Sequence, residues 1–289
     1  MPVIDAKEFE DLSPVFRGKM GQWFAKFAMR ACALDKINQV CDHSFNYSGA
    51  EFTKRFLNDV GVNYKVGNAE RLKLLPEGAF ITISNHPYGG LDGVITIDLM
   101  AGIRADYKLM ANNMLSRIKT MKENFILVNP TGNKKNEVTR TNLNAIRETL
   151  AHIRGGHPMG FFPSGAVSDF SVKDLRIRDR KWQTNILHLI HSVKVPILPI
   201  RFFDTNSAFF YFLGVINWRI RSLRLPSEVF NKREQETRLA IGDIISVQEQ
   251  EKFTDSDSLG NFLRKTVYEM PEPASFIPGT ILRFPEKVD

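Results

Sequence analysis

A chain of 289 residues, 43% apolar and 25% charged, has an ordinary soluble balance and enough length to bury a substantial core. Its two cysteines, Cys32 and Cys41, form no metal spacing and no disulfide framework, so free thiols in a reducing compartment are expected. The net charge of +7 favours an acidic or anionic partner without implying nucleic acid.

The first residues carry Asp5, Glu8, Glu10 and Asp11 and lack a basic region followed by an apolar core, so no signal peptide is expected there. Residues 1 to about 61 read as a helical region that contacts a membrane or packs on the body. Phe16, Met20, Trp23, Phe24, Phe27, Ala31 and Leu34 recur at helical spacing, with Arg17, Lys19, Lys26 and Arg30 between them. Such a basic amphipathic helix suits either packing or anionic lipid. Residues 51–60 predict another helix, stopped near Gly61.

From Val62 to the end the pattern is α/β. Strands are predicted at 62–66, 79–84, 107–110, 125–128, 158–162 and 195–200, and helices at 91–101, 137–153 and 181–192. Asn129 opens a loop running to Asn133. This alternation implies a central sheet, largely parallel or mixed, with helices on its faces. The stretch Ala208–Ile216 is apolar but shorter than the roughly 18–20 residues that cross a bilayer, and Arg219, Arg221 and Arg224 follow it. It reads either as core or as the wall of an acyl-chain site touching lipid headgroups. From about residue 270 the chain reads as an irregular arm, with Pro271, Pro273, Pro278 and Pro285.

The most informative segment runs from Ile81 to Asp92. A β-branched run ends in Ser84 and Asn85, and His86 follows where the chain must turn through Tyr88, Gly89 and Gly90 to Asp92. Imidazole and carboxylate at the end of a strand suit a general base with an orienting acid. Four later blocks also set polar or turn residues at strand ends: Lys108 with Asn112 and Asn113, residues 125–130, residues 160–168 and residues 195–201. His188 and His191 share a helical face but lack a third ligand at a diagnostic spacing, so no metal and no cofactor are expected.

In order and spacing these blocks resemble the lysophospholipid or glycerol-phosphate acyltransferase superfamily, over roughly residues 62 to 245. The resemblance implies an acyltransferase-like α/β fold, with His86 and Asp92 as the catalytic pair. It casts Phe162, Pro163, Ser164, Gly165 and Ala166 as the substrate block, with 195–199 as the last strand motif. Asn85, Tyr88, Gly89, Gly90, Lys108, Asn129 and Arg201 join it as candidate substrate-binding residues. The sequence departs from the family pattern twice. Five residues separate His86 from Asp92 where four are usual, and glycine could absorb the extra one. The usual Phe-Pro-Glu-Gly-Thr-Arg block is here Phe-Pro-Ser-Gly-Ala-Val, and Asn129 stands where an arginine is typical. These departures resemble the bacterial hemolysin-like branch, which includes O-acyltransferases that finish ornithine and glycine lipids.

The resemblance implies an acyl thioester donor, on acyl carrier protein or coenzyme A, a lyso-lipid acceptor, and an anionic membrane surface. The expected location is cytoplasmic, peripheral on the inner face of the cell membrane. Backbone amides from Phe162 to Ala166 would stabilise the oxyanion. Three alternatives stand beside this reading. They are a glycerol-3-phosphate or 1-acylglycerol-3-phosphate acyltransferase, a thioesterase or serine hydrolase using Ser164, and a non-catalytic membrane-associated protein. No helix-turn-helix, zinc finger or aromatic platform supports nucleic-acid binding.

Overall fold

In the computed structural model, residues 18–129 and 140–282 are described. The basic amphipathic segment forms α1 (Gly18–Ala31). It is shorter than its periodicity suggests, because Ala33 turns left-handed (φ 57°) and starts α2 (Leu34–His43). Phe16 and Arg17 lie outside the described residues, as do 130–139 and the end of the arm from 283. The next helix, α3 (Gly49–Val60), stops where the sequence places its glycine. Gly61 N–H bonds the Asn58 carbonyl (3.0 Å) and Val62 N–H the Leu57 carbonyl (2.9 Å), satisfying carbonyls at the helix end.

The α/β body follows as β1 (Tyr64–Gly67), β2 (Ile81–Ser84), α4 (Gly90–Ile103), β3 (Lys108–Asn112), β4 (Phe125–Val128), α5 (Arg140–Arg154) and β5 (Met159–Phe161). A hairpin of β6 (Asp169–Ser171) and β7 (Arg176–Arg178) leads to α6 (Thr184–Val193) and β8 (Ile197–Phe202). Then come α7 (Ala208–Ile216), α8 (Trp218–Leu223), α9 (Leu225–Asn231), β9 (Thr237–Ile241), α10 (Val247–Gln250), α11 (Ser256–Glu269) and β10 (Phe276–Pro278). The eight-stranded sheet has the order β10-β1-β9-β8-β2-β5-β3-β4. From β8 to β4 all neighbours are parallel. The antiparallel pairing of β9 on β8 makes the sheet mixed. The arm is less irregular than its prolines suggest, since Phe276–Pro278 pairs antiparallel with β1. Pro278 is tolerated there because β10 is an edge strand.

Alternation along the strands sorts the core into two layers. Ile200 and Phe202 face the layer that contains Phe52 and Phe56 of α3 and Ile95 and Met100 of α4. Ile81, Ile83 and Ile197 face the other, with Ile153 of α5, Ile190 of α6 and Leu263 of α11. Helix α4 is apolar almost all round and almost wholly buried, as a helix between sheet and outer helix must be. Its one deep acid besides Asp92 is Asp98, which accepts from the Tyr64 hydroxyl (2.7 Å) and the Thr53 hydroxyl (3.3 Å). This layering holds the N-terminus of α4 against the carboxyl end of β2.

Candidate active site

Strand β2 lies between β8 and β5, with parallel partners on both sides, so its carboxyl end opens at the centre of the sheet. The ladder does not stop at Ser84. The Asn85 side chain donates to the Phe202 carbonyl and accepts from the Phe202 amide, each at 2.8 Å, as a peptide unit would. The main chain is then free to turn at His86. Its imidazole stacks on Phe162, with ring centroids 4.2 Å apart.

His86 Nδ1 lies 2.7 Å from Asp92 Oδ2, and the two side chains are 17% and 0% exposed. The same Oδ2 accepts the Tyr88 amide (2.9 Å) and the Gly89 amide (3.0 Å), while Oδ1 takes a longer bond from Tyr88 N–H (3.2 Å). Burial pushes the Asp92 carboxyl above its ordinary range, and the imidazole and the two amides pull it back. Placed at the first turn of α4, the carboxylate also closes the helix N-terminus. With Nδ1 turned to Asp92, Nε2 is the nitrogen left for an acceptor proton.

The turn between His86 and Asp92 passes through Gly89, whose φ of 82° and ψ of −124° suit glycine alone. A Cβ there would stand 2.9 Å from Leu225 Cδ2 and 3.0 Å from Val167 Cγ2. The next residue, Gly90, has open space beside its Cα. Tyr88 serves through its amide; its ring is buried, edge-on to Phe202 and under the Lys232 ammonium (5.0 Å).

The 162–166 block is mostly a self-contained turn. Gly165 N–H bonds the Phe162 carbonyl (2.9 Å) and Gln183 N–H the Pro163 carbonyl (2.8 Å). The Ser164 hydroxyl donates to the Ala166 carbonyl (2.8 Å), and the Ala166 amide points back at Ser164 Oγ (3.5 Å). The Gly165 and Ala166 amides are therefore directed into the turn, away from the expected oxyanion role. Gly165 is left-handed (φ 63°), and a Cβ would collide with Gln183 Nε2. Of this block it is the Phe162 ring that touches His86.

Two candidates fall elsewhere, and a third, Arg201, lies level with Asn85 but turns to the other face of the sheet. Lys108 opens β3, in register with Met159 and hence with Ile81, and pairs with Glu148 (3.3 Å). That is the amino end of the sheet, roughly 16 Å below His86 at 3.3 Å per strand residue. Asn129 follows edge strand β4, three strands from β2 and so about 14 Å away. Its amide and carbonyl are held by Asn142. Arg201 alternates away from Ile200 and Phe202, onto the face opposite α4. Its guanidinium donates to the Met270 carbonyl (2.5 Å) and covers the Phe203 ring.

Two clefts lie behind the His86 loop. One of about 100 Å³ is lined by Asn85, Pro87, Ser168, Arg201 and Tyr268. The other, of about 640 Å³, runs between the β6–β7 hairpin and α11, with Asp169, Asp179, Arg180 and Arg264 on its walls. Neither is lined by His86, and both are polar. On the wall of the larger one sits a buried acid that the sequence did not single out. Asp179 is 3% exposed, and its Oδ1 accepts the His86 amide (3.1 Å) and the Ser168 hydroxyl (2.6 Å).

An imidazole held by a buried carboxylate, at the carboxyl end of a parallel sheet and with no serine hydroxyl bonded to it among the described residues, suits enzymes that activate a hydroxyl by general base. The family profile described as Acyltransferase matches residues 10–274, and the chain belongs to that family. Lyso-glycine lipid O-acyltransferases from Bacteroides thetaiotaomicron and Phocaeicola vulgatus are 25% and 24% identical to it over 244 residues. The match covers 82% of this chain in both cases, with 85% and 83% of those proteins. A crystal structure of the 1-acyl-sn-glycerophosphate (LPA) acyltransferase PlsC from Thermotoga maritima superposes with a TM-score of 0.49 at 13% identity. It covers 91% of this chain and 90% of that one.

Proposed function

We propose that this acyltransferase moves a fatty acyl group from a thioester, on acyl carrier protein or coenzyme A, to the hydroxyl of a lyso-amino-acid lipid of the glycine or ornithine type. The observation that carries the reading is the 2.7 Å contact of His86 Nδ1 with a wholly buried Asp92. His86 Nε2 takes the acceptor's hydroxyl proton as the oxygen bonds to the thioester carbonyl carbon. The carbon–sulfur bond then breaks, and the leaving thiolate recovers the proton from the imidazolium. Ester and free thiol are the products, and no acyl-enzyme is needed. Asp92 offsets the imidazolium charge at the moment it forms.

The acceptor class rests on two supports. Val167, where the family typically carries an arginine, sets an apolar methyl against Gly89 beside His86. A phosphate would find no cation at that position. The Bacteroides and Phocaeicola relatives are named for lyso-glycine lipid. A hydrolase reading is disfavoured by Ser164, whose hydroxyl bonds the Ala166 carbonyl.

The proposed location is the inner face of the cell membrane, held peripherally. Among the described residues no helix is long and apolar enough to cross a bilayer. Trp23 and Trp218 are 62% and 59% exposed, and Phe27, Phe209, Phe212 and Ile216 stand out from the same two regions. Neither α1 nor α7–α8 contains an acidic residue, and both carry Lys or Arg. An anionic interface matches that chemistry. Helix α7 reaches the site loop, since the Tyr211 hydroxyl donates to the Pro87 carbonyl (3.4 Å).

The test is a transfer assay with both donors against lyso-glycine lipid, lyso-ornithine lipid and lysophosphatidate, with His86→Ala alongside. Transfer to the amino-acid lipids, lost in that variant, is expected. Preference for lysophosphatidate, free fatty acid as the product, or undiminished transfer by His86→Ala each overturns a stated part of the reading.

A further inference from the structure

We infer that Asp179 is a positioning residue for His86, fixing the peptide that carries the imidazole rather than the ring. The inference rests on His86 being the general base. Most side-chain support for a catalytic histidine acts on the ring nitrogen that is not reacting. Asp92 does that here. Asp179 grips the residue from the other end, through its main chain.

The clamp has two jaws. The His86 amide donates to Asp179 Oδ1 (3.1 Å), and the His86 carbonyl accepts the Ser168 amide (2.8 Å). The jaws are joined, because the Ser168 hydroxyl donates to the same Oδ1 (2.6 Å). Asp179 is itself held on every side. Its Oδ2 accepts Trp182 Nε1 (3.2 Å), its amide donates to the Tyr268 hydroxyl (2.7 Å), and its carbonyl accepts Arg264 Nη2 (2.9 Å). Trp182 is buried in the core layer of α6 and α11, so the clamp is anchored in the body rather than in the loop.

This arrangement answers a geometric need. His86 is the first residue past the end of the β2 ladder, on a turn that must pass Gly89 before the chain is helical again. Asp92 and Phe162 fix the ring relative to α4 and β5, but neither stops the His86 peptide from rotating. Two hydrogen bonds on opposite sides of one residue do. A carboxylate is suited to the task because one oxygen accepts two donors while the other accepts a third.

The experiment compares Asp179→Ala, Asp179→Asn, Trp182→Phe and the double variant Asp179→Asn/Trp182→Phe in the acyl-transfer assay, with Tm recorded for each. Asparagine has one acceptor oxygen and one amide group. In the wild-type surroundings its NH2 must face either the indole N–H or the donors at His86 and Ser168. Trp182→Phe removes that conflict and leaves the oxygen to His86. Asp179→Ala is expected to lower kcat about 10²-fold, the scale of a 1 Å misplacement, with KM unchanged. The double variant is expected to recover most of the kcat that Asp179→Asn loses.

A merely structural role predicts a fall in Tm with undiminished kcat of the folded enzyme, and that result overturns the inference. If Asp179→Ala does not fold, the asparagine pair decides: equal kcat in Asp179→Asn and in the double variant overturns it. Activity in His86→Ala sinks the general-base reading. Full activity in Asp179→Ala with an inactive His86→Ala sinks the positioning role alone.

Discussion

Replacing Asp92 by asparagine separates charge from geometry at this site. Asp92 Oδ2 accepts two amides, Tyr88 at 2.9 Å and Gly89 at 3.0 Å, and stands 2.7 Å from His86 Nδ1. An asparagine oxygen placed there keeps both amide bonds and the contact with the imidazole. The new NH2 takes the Oδ1 position and meets only the Tyr88 N–H, at 3.2 Å. What is lost is the negative charge beside an imidazolium. At 4 Å and an effective dielectric of 20 that attraction is about 4 kcal/mol. Since the charge on His86 is only partly developed in the transition state, roughly 2–4 kcal/mol is forfeited, or about 30- to 1000-fold in kcat.

Stability should move the other way. Burial raises the Asp92 pKa in the folded chain, so its contribution to stability is present below the unfolded carboxylate range and is lost as pH rises through the raised value. The neutral amide of Asp92→Asn undergoes no such loss. The difference in urea midpoint between Asp92→Asn and wild type should therefore grow in the variant's favour as pH rises above the unfolded carboxylate range of about 4. Steady-state kcat and urea unfolding at several pH values provide the check. A variant with wild-type kcat refutes the role given to the charge.

Three further outcomes follow from the same geometry. Ser164→Ala removes a hydroxyl that serves the Ala166 carbonyl, so kcat should stay within a few-fold of wild type; a loss of about 10³-fold or more would mark a nucleophile. Gly89→Ala forces a Cβ into a positive-φ position against Leu225, and should cost about 1–3 kcal/mol in urea unfolding together with most of the activity. Lys108→Gln removes an exposed ion pair at the far end of the sheet, and kcat/KM for every acceptor should be unchanged.

The site was legible in the sequence where local pattern carries the information. A β-branched run, a histidine, two glycines and an apolar helix are consecutive, and the structure assembles them in place as β2, the turn and α4. The strands of the main sheet and the longer helices from 62 to 202 were readable for the same reason, whereas the short β6–β7 hairpin was not. Lys108 misled because a polar residue at a strand end looks alike at either end. Only the topology says that the amino end of β3 faces away from His86. The pairing of β9 against β8 was equally hidden, since a five-residue strand has no direction until it finds its neighbour. Asp179 was the largest omission. It meets His86 across 93 residues through a main-chain amide, a contact that leaves no trace in residue types. Its setting between Arg178 and Arg180 reads as one more charged surface stretch.

The side chain of Asn85, standing in for a peptide unit against Phe202, has a consequence for how this motif varies. It docks the start of the turn on one strand, while Asp92 docks the end on a helix terminus. With both moorings independent of the chain between them, the length of that chain becomes a free parameter. A sixth step from histidine to aspartate then shifts neither group, provided one residue such as Gly89 takes up the slack. The spacing of this pair in a sequence is accordingly a weaker signature than its two moorings: an amide one residue before the histidine, and an acid in the first turn of the helix that follows.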